Sequence, residues 1–366
     1  YTGHLKPRNL EFYRDLLVET GMLALNKEYQ QASGALAMLL YKEEIEAALR
    51  TPGYDGFQLL DLHDFPGQGT ALVGALDAFW DSKGLVTPEE FRRYCSPTVP
   101  LLRMDKRVWV TDETFTAQTQ VAHFGARPIK QAVFTWHIAD EKGVTVAQGD
   151  LPVIDVPIDN NTFPGEISAS LENVSAPAKL TVTLGIKGTP TSNSWEIWVY
   201  PADTAQAEPG NVLVASQFDA EVQRHLAEGG SVLLFTDATR RETVPTGFLP
   251  IFWCGKWFRG QPRQLGILCD PSHPALAGFP TDFHSNWQWY HLLEGARSLK
   301  LEALDTGLKP VVRMVDDWNK NRPLGLIVEA KVGRGQLLAC GINLQGDALK
   351  RPEARQLRHS LLAYMN

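Results

Sequence analysis

Between residues 57 and 68 the chain sets an apolar run against a cluster of ionisable and amide side chains. Phe57 to Leu62 carries Leu59, Leu60 and Leu62, stops at Asp61, His63 and Asp64, and is followed by a loop holding Gln68. Two carboxylates, an imidazole and a primary amide at the end of a strand suit a hydroxyl-rich ligand, because carboxylate oxygens accept bonds from hydroxyl groups and an amide both donates and accepts. The same residue types also serve plain loop duty, with Asp61 and Asp64 capping backbone amides of the loop and of the following helix. Composition does not separate the two uses.

The elements that would position this cluster follow from the flanking pattern. A short apolar strand ending in ionisable groups, a loop broken by Pro66 and Gly67, and an Ala/Leu-rich, helix-like segment through Gly84 spell one βα unit of a parallel barrel. In such barrels ligands bind at the C-terminal ends of the strands. Upstream, Leu10, Tyr13, Leu16 and Leu17 share one helical face after Asn9 as N-cap. A longer helix is expected over Lys27–Leu49, with Ala32, Leu36, Leu39 and Leu40 as its stripe, ending before Pro52-Gly53. Thr87-Pro88-Glu89-Glu90 has the form of a capping box that opens a short helix through Tyr94. An eight-stranded barrel needs roughly 250 residues, and the barrel-like sequence runs only to Cys95, so the rest of the barrel is expected upstream of Tyr1.

From Pro97 to Pro201 the pattern changes to short segments rich in β-branched and aromatic residues. They are Arg107–Thr111, Phe115–His123, Gln131–Ala139, Leu180–Ile186 and Glu196–Tyr200, with turns expected at Asp159-Asn160-Asn161 and Gly188-Thr189-Pro190. This spacing predicts a β-sandwich of immunoglobulin type. Ala202–Gly210 reads as a linker. Beyond it, strands at Val212–Ala215 and Ser231–Phe235 flank a helix over Asp219–Ala227. Leu324–Val332 and Gln336–Ile342 flank a hairpin turn at Gly333-Arg334-Gly335, and a last helix covers Arg355–Tyr364. This is an α/β layer.

Other constellations carry less. A net charge of −7 without a local Lys/Arg run argues against nucleic acid as a partner, since phosphate contacts need basic patches. No apolar stretch approaches the ~20 residues that span a bilayer, so no membrane partner is expected. Cys95, Cys254, Cys269 and Cys340 are scattered without a CxxC pair, and His273, His284 and His291 with Asp270 and Asp282 match no ligand spacing, so neither a metal nor another cofactor is expected. Gly229-Gly230 follows a helix rather than opening one, which makes it a C-cap and not a phosphate loop. Trp287 and Trp289 read as an edge strand with one face packed, or as an exposed ring platform.

The stretch DGFQLLDLHDFPGQGTALVGALDAFWDSKG, Asp55 to Gly84, with its run-up from Tyr1, resembles the last barrel strand of glycoside hydrolase family 2, the β-galactosidase and β-glucuronidase superfamily, and most of all large enzymes of gut Bacteroidetes. TFTAQTQVAHFG resembles that family's post-barrel sandwich, and the chain from Asn211 resembles an accessory domain of flavodoxin or glutamine-amidotransferase type. The resemblance implies four parts: residues 1–96, the C-terminal segment of a (β/α)8 glycosidase barrel; 97–201, an immunoglobulin-like sandwich; 202–210, a linker; and 211–366, an α/β domain without its catalytic Cys, since Trp253-Cys254-Gly255 and Cys269 lack a nucleophile elbow.

It further implies an exo-glycosidase that cuts glycosidic bonds by a retaining two-glutamate mechanism, with both glutamates upstream and no catalytic residue in this chain. Asp61 and Asp64 would otherwise fit either the about 5–5.5 Å of a retaining carboxyl pair or the about 6.5–9.5 Å of an inverting one. Asp61, His63, Asp64 and Gln68 are then sugar-facing. The family's Trp platform is absent from Leu59, Leu60 and Leu62, leaving Phe65 or Trp80 to supply it. The implied partners are a carbohydrate, the upstream barrel portion and a further copy of the chain, and the implied location is the periplasm or medium. The alternative is a noncatalytic carbohydrate-binding or scaffold protein.

Overall fold

A computed structural model describes residues 4, 6, 8–60, 62–65, 67, 71–203, 210–236, 242–249, 264–303 and 308–366. The chain divides into two compact units, one of residues 1–38, 61–85 and 204–366, the other of residues 39–60 and 86–203. Three helices come first: α1 (Arg8–Glu19), α2 (Asn26–Arg50) and α3 (Pro88–Tyr94). The capping box of α3 is present in full, with Thr87 Oγ1 accepting from the Glu90 N–H and the Glu90 carboxylate accepting from the Thr87 N–H. In α1 only Leu17 of the expected face is buried, Leu10 is exposed, and the helix starts at Arg8, which puts Asn9 inside it rather than at its cap.

The unit of residues 39–60 and 86–203 is mostly sheet. Its strands are β1 (Thr98–Arg103), β2 (Val108–Val110), β3 (Thr114–His123), β4 (Ile129–Ala132), β5 (Phe134–Asp140), β6 (Thr145–Asp150), β7 (Ile154–Val156), β8 (Asp159–Thr162), β9 (Glu166–Ser170), β10 (Ala178–Ile186) and β11 (Ser192–Tyr200). One sheet pairs β3 with β1, β8 and β9; the other runs β2-β11-β10-β5-β6; β4 pairs β7. Along β10 the burial alternates as period-2 side-chain direction requires. Phe115 and Ile167 of the first sheet share a core with Phe134, Ile138, Val182 and Ile197 of the second, all with no exposed surface. Ile45 and Leu49 of α2 join Tyr94 of α3, Val99, Leu101 and Ala122 in a smaller core. The turn expected at Asp159–Asn161 is instead β8. Asn160 is buried and its side-chain amide donates to Thr51 O at 2.7 Å, so tertiary bonds override turn propensity.

One buried acid organises this unit. Glu46, with no exposed surface, accepts from Arg50 (3.2 Å), from the Asn193 amide (2.8 Å), from the Trp195 indole N–H (2.8 Å) and from Lys42. Burial pulls the Lys42 ammonium below its usual range, with Glu46 working against that shift.

In the other unit the described strands form an eight-stranded mixed sheet: β12 (Val212–Ala215), β13 (Ser231–Phe235), β14 (Thr243–Pro245), β15 (Ile267–Cys269), β16 (Arg297–Lys300), β17 (Lys309–Met314), β18 (Leu324–Val332) and β19 (Gly335–Cys340). β12, β13 and β19 are parallel neighbours; β18 and β19 make the hairpin expected at Gly333, whose φ of 60° demands a residue without Cβ. Its helices are α4 (Ala220–Ala227), capped by the Asp219 carboxylate, α5 (Trp289–Leu292) and α6 (Pro352–Met365), which buries Leu357, Leu361 and Leu362. Trp289 is not on an edge strand. It is fully buried in α5, donates its indole N–H to Thr281 Oγ1 at 2.9 Å, and meets Phe279 edge to face.

The βα unit expected over residues 57–84 is not formed among the described residues, and no closed barrel is seen there. Residues 57–60 carry no strand and residues 71–84 no helix. A lone strand without partners does not hold in water. The backbone groups of 62–65 and 71–76 bond to each other instead, Asp64 N to Leu76 O at 3.0 Å, Leu76 N to Leu62 O at 3.1 Å and Phe65 N to Ala71 O at 2.8 Å.

Candidate functional site

Of the four residues singled out by sequence, His63 and Asp64 lie among the described residues, whereas Asp61 and Gln68 lie outside them, as do Trp253, Cys254 and Trp257. Asp64 is held from two sides. Its Oδ1 accepts from the Gly74 N–H at 3.0 Å and from Lys83 Nζ at 2.7 Å, both charged side chains being largely buried. Gly74 is required there: a Cβ would come within 2.5 Å of the His63 carbonyl carbon and 2.7 Å of Asp64 N. The first bond fixes the carboxylate and the second neutralises it.

Asp64, Lys83 and Gly74 form one wall of a cleft of about 360 Å³, within the range that holds small ligands. The opposite walls come from α1 and α2 (Tyr13, Tyr29 and Gly34 among them) and from the segment after β17 (Asp316, Trp318, Asn321). All of these belong to the unit of residues 1–38, 61–85 and 204–366. Asp316 is fully enclosed and takes a two-pronged ion pair from Arg322, at 2.7 and 3.1 Å. Burial pushes the Tyr29 hydroxyl up from its ordinary value, with Arg313 working against that shift. Trp318 donates no bond: its Nε1–H is shielded from solvent and unpartnered among the described residues. A buried donor without a partner costs about 1–3 kcal/mol.

His63 packs against an aromatic ring, with its Nδ1 2.8 Å from Asp64 O. Its ring lies 4.4 Å from that of Trp80, centroid to centroid. Trp80 has a φ of 72°, a conformation costing of order 1–3 kcal/mol in a bulky residue. The loop around it enforces this, because Asp77 Oδ1 accepts from the N–H groups of Phe79 (2.8 Å) and Asp81 (3.0 Å), and Trp80 N donates to Asp77 O (3.1 Å). The tight turn holds Phe79 and Trp80 outward, each more than 60% exposed.

Asp64 was visible in the sequence because an acid ends an apolar run. Lys83 lies 19 residues on, and Asp316, Trp318 and Asn321 over 250 on, so no local spacing announces them. His273 approaches Glu329 at 4.0 Å, and no cluster of three or more metal-binding side chains occurs among the described residues. Cys269 is a free, buried thiol donating to Asp282 O at 3.3 Å, its pKa pushed up to about 12 by burial. Such a thiol is a poor nucleophile.

A family model described as Domain of unknown function (DUF8488) matches residues 113–201, and one described as Domain of unknown function (DUF8487) matches residues 213–366. No curated protein matches the chain. Among solved structures, the chain is similar to an alkylpurine DNA glycosylase of Pseudomonas fluorescens bound to DNA with an abasic site analogue, at 12% identity and TM-score 0.23, over 29% of this chain and 31% of that one. It is similar to a CARDB domain of Pyrococcus furiosus in complex with di-metal ions, at 5% identity and TM-score 0.22, over 28% and 86%. It is also similar to an exo-chitosanase of Amycolatopsis orientalis in complex with PNP-beta-D-glucosamine, at 14% identity and TM-score 0.29, over 43% and 17%. Scores this low carry no inference about fold or activity.

Proposed function

We propose that this chain is the C-terminal portion of an exo-glycosidase of the family 2 type, supplying noncatalytic walls of the sugar pocket while two glutamates outside it do the chemistry. The observation that carries this reading is the exposure of large apolar side chains within the unit that holds Asp64: Phe65, Phe79 and Trp80 are all exposed, Phe79 by 62%. In the other unit Tyr54, Phe57 and Leu60 are exposed as well. Exposed apolar side chains of this size suit a surface that is covered by further chain. A barrel strand and its helix, lacking sheet neighbours, would leave these side chains bare. In this reading Asp61, His63, Asp64 and Gln68 face the sugar, and Trp80, stacked on His63, provides the aromatic platform that the Leu-rich strand lacks.

The finer architecture belongs to the same proposal. The two-sheet body is an immunoglobulin-like sandwich, and the mixed-sheet body is an amidotransferase-like domain without a working nucleophile, a reading supported by the buried Cys269 thiol. The two described carboxylates of the cleft support a binding role, since Lys83 neutralises Asp64 and Arg322 neutralises Asp316.

The experiment is hydrolysis of nitrophenyl glycosides. The chain alone should give no turnover above buffer, and the chain joined to an upstream barrel portion should give turnover that falls at least tenfold in Trp80→Ala. Clear hydrolysis by the chain alone would place catalytic groups within it and sink the proposal.

A further inference from the structure

A second cleft, of about 470 Å³, opens at one end of the mixed sheet and shares no lining residue with the cleft on Asp64. Strand register builds it. Lys309 of β17 stands opposite Glu329 of β18, Lys331 of β18 opposite Gln336 of β19, and Gln336 opposite Ser231 of β13. Residues paired across strands share a face, as do residues two apart on one strand. Lys309, Glu329, Lys331, Gln336 and Ser231 therefore project from one face, and Arg334 joins them from the hairpin between β18 and β19.

The lining carries three cations, Lys309, Lys331 and Arg334, against one acid, Glu329, in a chain whose net charge is −7. Glu329 accepts from the Tyr364 hydroxyl at 2.7 Å, has His273 Nε2 at 4.0 Å, and faces Lys309 in register. Setting it against Lys309 leaves Lys331 and Arg334, two positive charges on one rim. Arg334 Nε donates to Ala227 O at 3.2 Å, which uses one of five guanidinium N–H groups and steadies the side chain. Glu228 adjoins Gly229 but is not a lining residue. The rim is closed by backbone: a Cβ on Gly335 would come within 2.5 Å of Gly230 O, so the hairpin meets the end of α4 with no side chain between. That helix end presents carbonyls, which give an anion nothing. Recognition falls to the side chains.

An arginine fork beside a lysine point charge suits the oxygens of a phosphate group, which as a monoester carries about 1.5–2 negative charges near pH 7. A sulfate ester or a carboxylate brings only one. The rest of the lining is polar or small, with Ser231, Gln336, Ala330 and two glycines, so the body attached to the phosphate is polar. The volume lies in the range of small-ligand sites.

We infer that this cleft binds a small polar molecule through a dianionic phosphate monoester, with Arg334 and Lys331 on the phosphate oxygens and Gln336 and Ser231 towards the polar body. Such binding is independent of the glycosidase reading.

The test is calorimetric titration of the 366-residue chain at low ionic strength with glucose 6-phosphate, glucose 6-sulfate, glucose and inorganic phosphate. Glucose 6-phosphate should saturate the chain at least fivefold more tightly than any of the other three, and less tightly as salt is added. Arg334→Gln and Lys331→Gln should each weaken it at least fivefold with unchanged circular dichroism, both side chains being exposed. Arg334→Lys keeps the charge and loses the fork, and should fall between. Lys130→Gln, the same charge loss on an exposed strand of the other unit, should leave the affinity unchanged. No saturable binding of glucose 6-phosphate, equal binding of the sulfate ester, unchanged affinity in Arg334→Gln, or an equal loss in Lys130→Gln would each overturn the inference. Inorganic phosphate binding as tightly as the ester would assign the cleft to the free ion and overturn it too. Failure of turnover in the longer enzyme would instead strike only the glycosidase reading.

Discussion

Residues 98–200 and residues 54–85 carry apolar patterns of similar strength, yet they meet different fates. In the first region the inward apolar faces of the two sheets find each other, Phe115 of one sheet sharing a core with Phe134 and Val182 of the next. In the second, Phe57 and Leu60 stay in solvent, and order comes from polar anchors: Gly74 and Lys83 on Asp64, and Asp77 on the loop that carries Trp80. A strand-like pattern is an instruction to pair. It is carried out only when the partner strands are at hand.

The sharpest break of this contrast is at Glu46. Glu46→Ala strands Lys42, Arg50, Asn193 and Trp195 without their shared acceptor, and removing one partner from a buried charged network costs about 3–5 kcal/mol. Urea unfolding of the variant should show that loss, and a change under 1 kcal/mol would mean the network does not organise the sheets. A middle-sized effect comes from pH. Burial pushes the thiols of Cys269 and Cys340 up to about 12, from an ordinary value of 9.0. The unfolded chain sheds these protons near pH 9 while the folded one keeps them until about pH 12, so their contribution is whole below pH 9 and is lost as pH rises. Each thiol should cost about 1 kcal/mol by about pH 10, and Cys340→Ala should flatten the decline measured by urea titration at successive pH values. The smallest effect is expected at Leu60. Leu60→Ala should change stability by less than about 0.5 kcal/mol, as for an exposed surface site, while Phe115→Ala should cost about 3–5 kcal/mol. A loss above 1 kcal/mol at Leu60 would show that the run is buried after all.

Much of the architecture is legible locally. The helix of α2, the capping box of Thr87 and Glu90, the helix over Asp219–Ala227 and the Gly333 hairpin all depend on residues within a few positions of each other, and each forms close to its expected place, the third with Asp219 as its cap. What escapes is set from afar. Asp159–Thr162 has turn composition but pairs with β3, because Asn160 finds carbonyl acceptors more than 100 residues away. The strand expected at Phe57–Leu62 had the right composition without the neighbours. The candidate site divides the same way: Asp64 is announced by the run it ends, whereas Lys83, Asp316 and Trp318 reach the cleft only through folding.

The stack of Trp80 on His63 also has an optical meaning. Trp80 is the exposed partner, so its emission lies to the red of that from the enclosed Trp198 and Trp289. Anything that lies down on its indole face therefore registers as a change in the colour of that emission.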